Sequence, residues 1–190
     1  IVLQLLIVYT YASAAKIYGD WIDLSIIKIL MLDKANYYLI GELLQQPYIH
    51  KIIGVFAILF DLLVVPALLW KPTRKIAFLA SLFFHLFNSI VFQIGIFPYL
   101  SLAFTVFFFK PETIRNIFFR KKKVYTSNTV TIPAAKNIII GLGAVYFLVQ
   151  LVLPIRHYFI KDDVLWTEEG HRMSWRMMLR SRGGVGQFNL

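Results

Sequence analysis

One lysine stands at the end of an apolar segment that starts at the first residue, in the stretch YASAAKIYGDW from Tyr11 to Trp21. Lys16 could simply end a helix, with its amine reaching the lipid headgroups and pairing with Asp20 one turn later. In a dry pocket, however, the neutral amine is favoured, and Lys16 could then take up a proton as a base. Its position in the sequence favours the first interpretation.

A second group of polar residues lies within the aromatic stretch SLFFHLFNSIVFQIGIFPY. A helix would place Ser81, His85 and Asn88 on one stripe, because they are spaced by four and then three residues. Polar groups at membrane depth must bond to one another or line a cavity. The stripe predicts either hydrogen bonds between helices or a pocket for a flat apolar ligand whose polar atoms bond to His85 and Asn88.

A single acid, Asp61, lies inside the apolar segment from Ile52 to Trp70. A carboxylate at that depth is expensive unless it has a partner or a function. The residue therefore predicts either a pair with a polar group on a neighbouring helix or a functional site, and the sequence does not decide between them.

The segment from Leu153 to Arg182 combines two tryptophans, His157, His171 and alternating charges. Such a mixture is typical of the membrane surface, where aromatic residues and charges concentrate. Its arginines would also suit a carboxylate held by bidentate hydrogen bonds. The two histidines are too far apart in sequence to predict a metal site, and no zinc-binding spacing or phosphate-binding glycine loop is present in the sequence.

The composition indicates that membrane-spanning helices position these residues. Of the 190 residues, 58% are hydrophobic and 16% charged, against about 45–50% and 25% in soluble domains. The net charge of +10 is concentrated in blocks between apolar runs, which is typical of loops that flank spanning helices. The sequence therefore predicts contact with a lipid bilayer and not with nucleic acid. Because the chain has no cysteine, disulfides are excluded.

Apolar runs of about 20 residues are needed to cross the hydrocarbon core. The runs predict a span that ends near Ala15, a second from Ile52 to Trp70, and a fourth from about Asn137 to Leu153 that stops at Pro154. The third block, Ile76 to Phe109, is too long for one span and is broken by GIFP.

Basic residues flank the third block at both ends, which predicts a hairpin or re-entrant pair that turns near Gly95. The alternative is one span followed by an interfacial helix. The mixed segment from Trp21 to Leu32 also predicts a helix that lies in the interface. The predicted fold is therefore an all-α, multi-span membrane bundle.

Four ordered motifs resemble the vitamin K-dependent γ-glutamyl carboxylases and their bacterial relatives, which share a horizontally transferred transmembrane (HTTM) domain. The motifs are YASAAKIYGDW, FFHLFNSIVFQIGIFPY, LVQLVLPIRHYF and WTEEGHRMSWRMMLRSR. With the spans between them they cover nearly the whole chain, which is identified as a bacterial member of this family, located in the inner membrane.

The resemblance implies a lyase-type enzyme that converts protein glutamate to γ-carboxyglutamate and couples this to epoxidation of reduced vitamin K. The implied cofactor is phylloquinol or menaquinol, with oxygen and carbon dioxide as co-substrates. No side chain is basic enough to remove the glutamate γ-proton, so the cofactor must supply that base. The implied partners are a glutamate-containing protein and the bilayer.

The resemblance also assigns roles to individual residues. Lys16 falls on the family's base, which deprotonates the hydroquinone. The expected cofactor-binding residues are Ser81, His85 and Asn88. The expected substrate-binding residues are Trp166, Thr167, His171, Ser174 and Trp175. Supporting roles are expected for Asp20, Trp21, Asp61 and His157.

Two alternatives to a carboxylase stay open at this stage. The EEGHRM stretch between Trp166 and Trp175 departs from the animal enzymes, so the protein could oxygenate a quinol without carboxylating glutamate. A non-catalytic protein that binds a quinone or lipid is the other alternative. We expect residues 1–153 to form a partial transmembrane domain and residues 154–190 a membrane-surface substrate segment. Since the chain starts at Ile1 inside an apolar run, we expect a fragment that lacks earlier helices and a later β-rich part.

Overall fold

A computed structural model describes residues 1–122, 132–161, 167, 169 and 171–176. These residues are organised as helices and the connections between them, and no strand occurs among them. The α-helices are α1 (Val2–Ala14), α2 (Gly19–Ile22), α3 (Ser25–Leu32), α4 (Gly41–Leu44), α5 (Pro47–Leu69), α6 (Arg74–Val91), α7 (Phe97–Phe104), α8 (Pro111–Phe118) and α9 (Lys136–Val152). Two 3₁₀ segments, Thr105–Phe108 and Leu153–Phe159, follow α7 and α9.

Three helical segments in the described part of the chain are long and apolar enough to cross a membrane: Pro47–Leu69, Arg74–Val91 and Lys136–Phe159. The predicted all-α membrane bundle is therefore confirmed. The first apolar helix, α1, has 13 residues, a length of about 20 Å, and is short for a hydrocarbon core of about 30 Å.

The chain divides into two compact units. The first unit comprises Ile1–Tyr9 and Leu62–Leu153, and the second comprises Thr10–Asp61 and Pro154–Leu190. Helices α1 and α5 contribute residues to both.

In the first unit, the third apolar block forms a hairpin. Helix α6 ends at Val91, and α7 begins at Phe97 after a turn in which Gln93 and Gly95 have positive φ angles of 54° and 53°. At this turn Ser89 donates a hydrogen bond to the Tyr99 hydroxyl at 2.7 Å. At the open end, the rings of Phe78 and Phe109 meet edge to face with centroids 5.5 Å apart. The chain therefore returns to the end where α6 began, as the flanking basic residues predicted.

In the second unit, the predicted interfacial helix from Trp21 to Leu32 is two helices instead of one. The break falls at Leu24, whose φ of 68° lies in the left-handed region. Asp23 accepts a hydrogen bond from the Ser25 backbone N–H at 2.9 Å, and this bond lowers the pKa of the Asp23 carboxyl. Ile27 and Met31 of α3 are buried, so this face packs inside the unit.

The expected end of the fourth helix at Leu153, just before Pro154, is confirmed for the α-helix. Helix α9 ends at Val152, and the chain continues as the 3₁₀ segment Leu153–Phe159. Proline is tolerated in the first turn of a helical segment, because the N–H that it lacks would have no partner there. Pro154 thus marks the end of the α-helix and the first turn of a 3₁₀ segment.

Candidate functional site

The Lys16 side chain is buried in the second unit and forms an ion pair with Asp61. Lys16 follows the end of α1 and is 5% exposed, and Asp61 lies within α5 and is also 5% exposed. The Lys16 Nζ lies 2.5 Å from Asp61 Oδ2. The same amine donates to the Ala12 carbonyl at 3.1 Å. A charged amine and a carboxylate thus neutralise each other away from water.

The Trp21 ring lies next to this pair, and Gly54 allows the segment that carries Trp21 to pack closely against α5. The Lys16 Nζ lies 5.6 Å from the centroid of the Trp21 ring, within the range of a cation–π interaction. Trp21 is buried, and its Nε1 donates to the Gly54 carbonyl at 3.2 Å. A β-carbon on Gly54 would lie 2.8 Å from Ile27 Cδ1 and 3.0 Å from Leu24 Cδ2. The absence of a side chain at position 54 therefore lets the α2–α3 segment pack closely against α5.

The surface interpretation of Lys16 is wrong in its choice of partner and of environment. Asp20, the expected partner, is exposed to solvent, whereas the observed partner, Asp61, is buried. Of the two alternatives for Asp61, the pair with a polar group is observed, although Lys16 follows the end of α1 and is not inside a helix; a functional role for Asp61 stays a prediction. Ser13 strengthens the same contact by donating to the Ile58 carbonyl of α5 at 3.1 Å.

The polar stripe of α6 is buried in the first unit. Ser81, His85 and Asn88 are 0%, 1% and 7% exposed. His85 Nε2 shares a hydrogen bond of 2.8 Å with the hydroxyl of Tyr9 on α1, so the helix-to-helix interpretation of His85 describes one of its contacts. The Ser81 hydroxyl has no hydrogen-bond partner among the described residues.

Aromatic rings surround the His85 imidazole. The rings of Phe84 and Phe97 lie edge-on to it, with centroids 5.4 Å and 6.5 Å away. Ser101 and Thr105, on the segment that follows Phe97, are buried as well. The polar stripe of the first unit therefore lies beside aromatic rings, and a flat apolar ligand at this stripe stays a prediction.

The C-terminal part of the second unit brings His157 and Arg176 together. Arg176 Nη2 lies 2.7 Å from His157 Nε2, and His157 Nδ1 lies 2.7 Å from the Pro154 carbonyl. Since a guanidinium only donates, Nε2 accepts and Nδ1 carries the proton, and His157 is therefore the neutral Nδ1–H tautomer. Arg156 donates to the Arg172 carbonyl at 2.9 Å. Two of the arginines that we considered for a carboxylate thus have contacts within the chain.

The predicted substrate-binding residues occupy several different environments. Ser174 is 2% exposed and donates to the His171 carbonyl at 2.5 Å. Trp175 has a positive φ of 56°, and its Nε1 is buried without a hydrogen-bond partner in the described part of the chain. Thr167 is exposed and accepts from the Glu169 backbone N–H at 3.3 Å. Trp166 lies outside the described residues.

Three contributors to these arrangements had no strong signal in the sequence. Tyr9 is one of several polar residues on α1, so nothing distinguished it as the partner of His85. The carbonyl of Ala12 is a backbone group, which no residue pattern reveals. Gly54 stands in an apolar run, where a glycine alone does not indicate that another segment approaches it.

The comparisons with known proteins agree with this fold. A family model described as the HTTM domain matches residues 1–112, which include Lys16, Asp61 and the polar stripe of α6. The chain is therefore a membrane protein of the HTTM domain class. A second model, the lumenal domain of vitamin K-dependent gamma-carboxylase, matches residues 135–190. With both matches in order along one sequence, the chain belongs to the vitamin K-dependent carboxylase family. No solved structure matches it.

Proposed function

We propose that the protein carboxylates glutamate in a protein substrate and couples this to epoxidation of reduced vitamin K, with Lys16 as the base that accepts the hydroquinone proton. Family membership supports the general activity, a vitamin K-dependent carboxylase-like function. The observation that carries the specific proposal is the buried pair of Lys16 and Asp61. A lysine that only anchored a helix end would reach water instead.

The pair gives Lys16 a way to hold a neutral amine. Ammonium with carboxylate and amine with carboxylic acid have the same net charge, so moving one proton between Nζ and Oδ2 leaves no uncompensated charge in the dry site. When that proton is on Asp61, the amine can accept another from an acidic hydroxyl. Asp61 therefore acts as a positioning and proton-holding residue, and the Trp21 ring and the Ala12 carbonyl favour the ammonium that results.

The polar stripe of α6 fits the proposed cofactor. A reduced quinone is a flat apolar ring system with two hydroxyl groups, and it needs aromatic walls and a few polar atoms. His85, Ser81 and Asn88 supply buried polar atoms, and the fully buried hydroxyl of Ser81 is still available among the described residues. We propose that these three residues bind phylloquinol or menaquinol. Bound there, the reduced quinone would supply, together with oxygen, the strong base that removal of the glutamate γ-proton requires before carbon dioxide can add.

The glutamate side of the reaction is proposed for residues 154–190, a membrane-surface segment that follows a transmembrane domain of residues 1–153. Trp166, Thr167, His171, Ser174 and Trp175 are the proposed substrate contacts. Family membership and the buried Ser174 beside two residues with positive φ support this proposal, since strained backbone is concentrated at functional sites. A bacterial inner membrane is the proposed location, and a glutamate-containing protein is the proposed partner.

The test is a paired assay on the full-length gene product in lipid nanodiscs. One arm measures conversion of reduced vitamin K to its epoxide, and the other measures labelled carbon dioxide fixed into a glutamate peptide. Lys16→Met should abolish both products, because the base acts before the two reactions diverge. The matched control is Lys28→Met, which makes the same change at an exposed lysine of α3 and should leave both products unchanged.

The loss in Lys16→Met must be separated from unfolding, since the substitution strands the Asp61 carboxylate. The double variant Lys16→Met, Asp61→Leu removes both charges and should restore folding but neither product. Epoxide formation by this double variant would refute the catalytic role of Lys16. Epoxide without fixed carbon dioxide in the wild type would instead identify a quinol oxygenase on a carboxylase fold.

A further inference from the structure

Positive charge accumulates at one end of the first unit. From Leu62 to Lys122 the chain has a single acidic residue, Glu112. The cationic residues in the same range are Lys71, Arg74, Lys75, Lys110, Arg115, Arg120, Lys121 and Lys122, and we call this set the basic end. The contact between Phe78 and Phe109 brings together the two parts of the chain that carry it.

The basic end lies where helices α5 and α6 meet. Arg74, at the first residue of α6, donates to the carbonyls of Leu68 and Leu69 at 2.8 Å and 2.9 Å and so binds the last turn of α5. Because α5 and α6 are both candidate spans, their shared end falls at the depth of the lipid headgroups. The location of the charge therefore follows from the two helices.

Helix α8 adds an apolar face to this charge. Ile114, Ile117 and Phe118 follow the i, i+3, i+4 spacing of one helix face. Ile117 is 60% and Phe118 65% exposed, and no residue of α8 is buried. Its eight residues extend about 12 Å and cannot cross a bilayer. A short helix with one apolar face and a basic surround is suited to lie in the plane of the interface.

Two hydrogen bonds join the residues that follow α8 to the helix. Arg115 Nη1 donates to the Lys122 carbonyl at 3.0 Å, and Arg120 Nε donates to the Asn116 carbonyl at 2.8 Å. The Lys122 amine lies 5.4 Å from the Phe119 ring centroid. Two arginines thus shape the turn. The side-chain amines of Lys71, Lys75, Lys110 and Lys121 are on exposed residues and make no hydrogen bond or ion pair within the described residues.

We propose that the basic end, with the apolar face of α8, is a binding surface for the anionic phosphate headgroups of the bilayer. The apolar face enters the acyl boundary, and the lysines meet the phosphates of acidic lipids such as phosphatidylglycerol. The charge complementarity and the continuity with the ends of two spanning helices select lipid as the occupant. This surface is independent of the proposed chemistry at Lys16.

Site-directed spin labelling tests the proposal, and the cysteine-free chain allows a single label without other changes. Ile117→Cys places the label on the apolar face, and Asn116→Cys places it on the polar face. The protein is reconstituted in nanodiscs of phosphatidylcholine, with or without phosphatidylglycerol. We expect phosphatidylglycerol to raise the accessibility of the label at 117 to oxygen and lower its accessibility to a water-soluble nickel reagent. The label at 116 should stay accessible to nickel.

Charge deletion gives the matched comparison. In the labelled Ile117→Cys background, Lys121→Ser with Lys122→Ser should reduce the ratio of inserted to non-inserted label in acidic nanodiscs by about 25-fold, or about fivefold per lysine. Lys28→Ser with Lys51→Ser removes two exposed lysines of the second unit and should leave the ratio unchanged. Added salt should mimic the first pair.

Three outcomes would overturn the proposal. The label at 117 could have equal depth in neutral and acidic nanodiscs, which would remove the role of anionic lipid. The two double lysine substitutions could lower the ratio of inserted label equally, which would show that only the net charge of the protein matters. Finally, the label could be shielded from oxygen and nickel alike, which would show that protein and not lipid covers α8.

Discussion

The two units bury polar groups in different ways. The second unit buries a full ion pair between Lys16 and Asp61, with one backbone acceptor and an indole around it. The first unit buries a row of neutral groups, in which one hydrogen bond joins Tyr9 to His85. A buried charge that loses its partner destabilises the protein strongly, whereas a buried neutral group that lacks one hydrogen-bond partner costs less free energy. The comparison teaches that neither Lys16 nor Asp61 can be removed alone without a large loss of stability. The neutral groups of the polar stripe of α6, in contrast, can form hydrogen bonds with a ligand in place of those within the protein.

The largest expected effect is the loss of one member of the ion pair. Asp61→Leu alone should lower the free energy of unfolding by about 3–5 kcal/mol, because it strands a buried ammonium. Lys16→Met with Asp61→Leu should recover most of that loss, since two apolar side chains replace two charges. Thermal unfolding in nanodiscs of the wild type, the two single variants and the double variant measures the coupling free energy between the two side chains. Additive losses in the double variant would mean that the pair is solvated and that its burial does not matter.

A middle-sized effect is expected at Gly54, which controls the packing around Trp21. Gly54→Ala puts a methyl group against the ends of the Ile27 and Leu24 side chains. Because those ends can shift and alanine favours the helix, the variant should be less stable than Gly141→Ala by about 1 kcal/mol. Epoxide formation should fall with it, because Trp21 borders the Lys16 amine. The control is Gly141→Ala in α9, where a β-carbon would meet nothing within 4 Å. If both alanine variants behave alike, the close approach to α5 has no energetic importance.

The smallest effects on stability are expected in the neutral row. Tyr9→Phe should lower stability by about 0.6 kcal/mol, the mean for a hydrogen bond between membrane helices. Ser81→Ala should raise it slightly, by up to about 1 kcal/mol, because the variant removes a buried hydroxyl that has no partner among the described residues. Ser81→Ala should nevertheless raise the KM for the quinol severalfold. An unchanged KM in that variant would leave Ser81 without a ligand to bind.

The sequence predicted features that repeat over short distances. The spacing of Ser81, His85 and Asn88 gave a buried stripe, since one helix carries all three residues. Basic residues on both sides of the third block predicted a hairpin, because positively charged residues are concentrated on one side of a membrane. The four ordered motifs also predicted the family, which the family models confirm, and the role of Lys16 as a base stays a prediction.

Long-range partners could not be read from the sequence. Asp61 is 45 residues from Lys16, and His85 is 76 residues from Tyr9, so no helical spacing connects them. The interfacial helix was wrong as a continuous element because Leu24 adopts a left-handed conformation, which leucine rarely does. The end of α9 next to Pro154 was predicted, but the 3₁₀ segment that follows was not, because a proline can start a helical turn as well as end one.

Gly54 has a consequence for how the important positions of this protein would be found by experiment. It has no side chain that could bind or react, yet its backbone carbonyl accepts a hydrogen bond from Trp21 and its lack of a β-carbon lets the segment that encloses Lys16 approach closely. A random mutagenesis screen that scores product formation alone would therefore recover a glycine together with the lysine and the carboxylate. Selection at such a position would preserve the lack of a side chain, because any side chain added at position 54 would change the environment of the Lys16 amine.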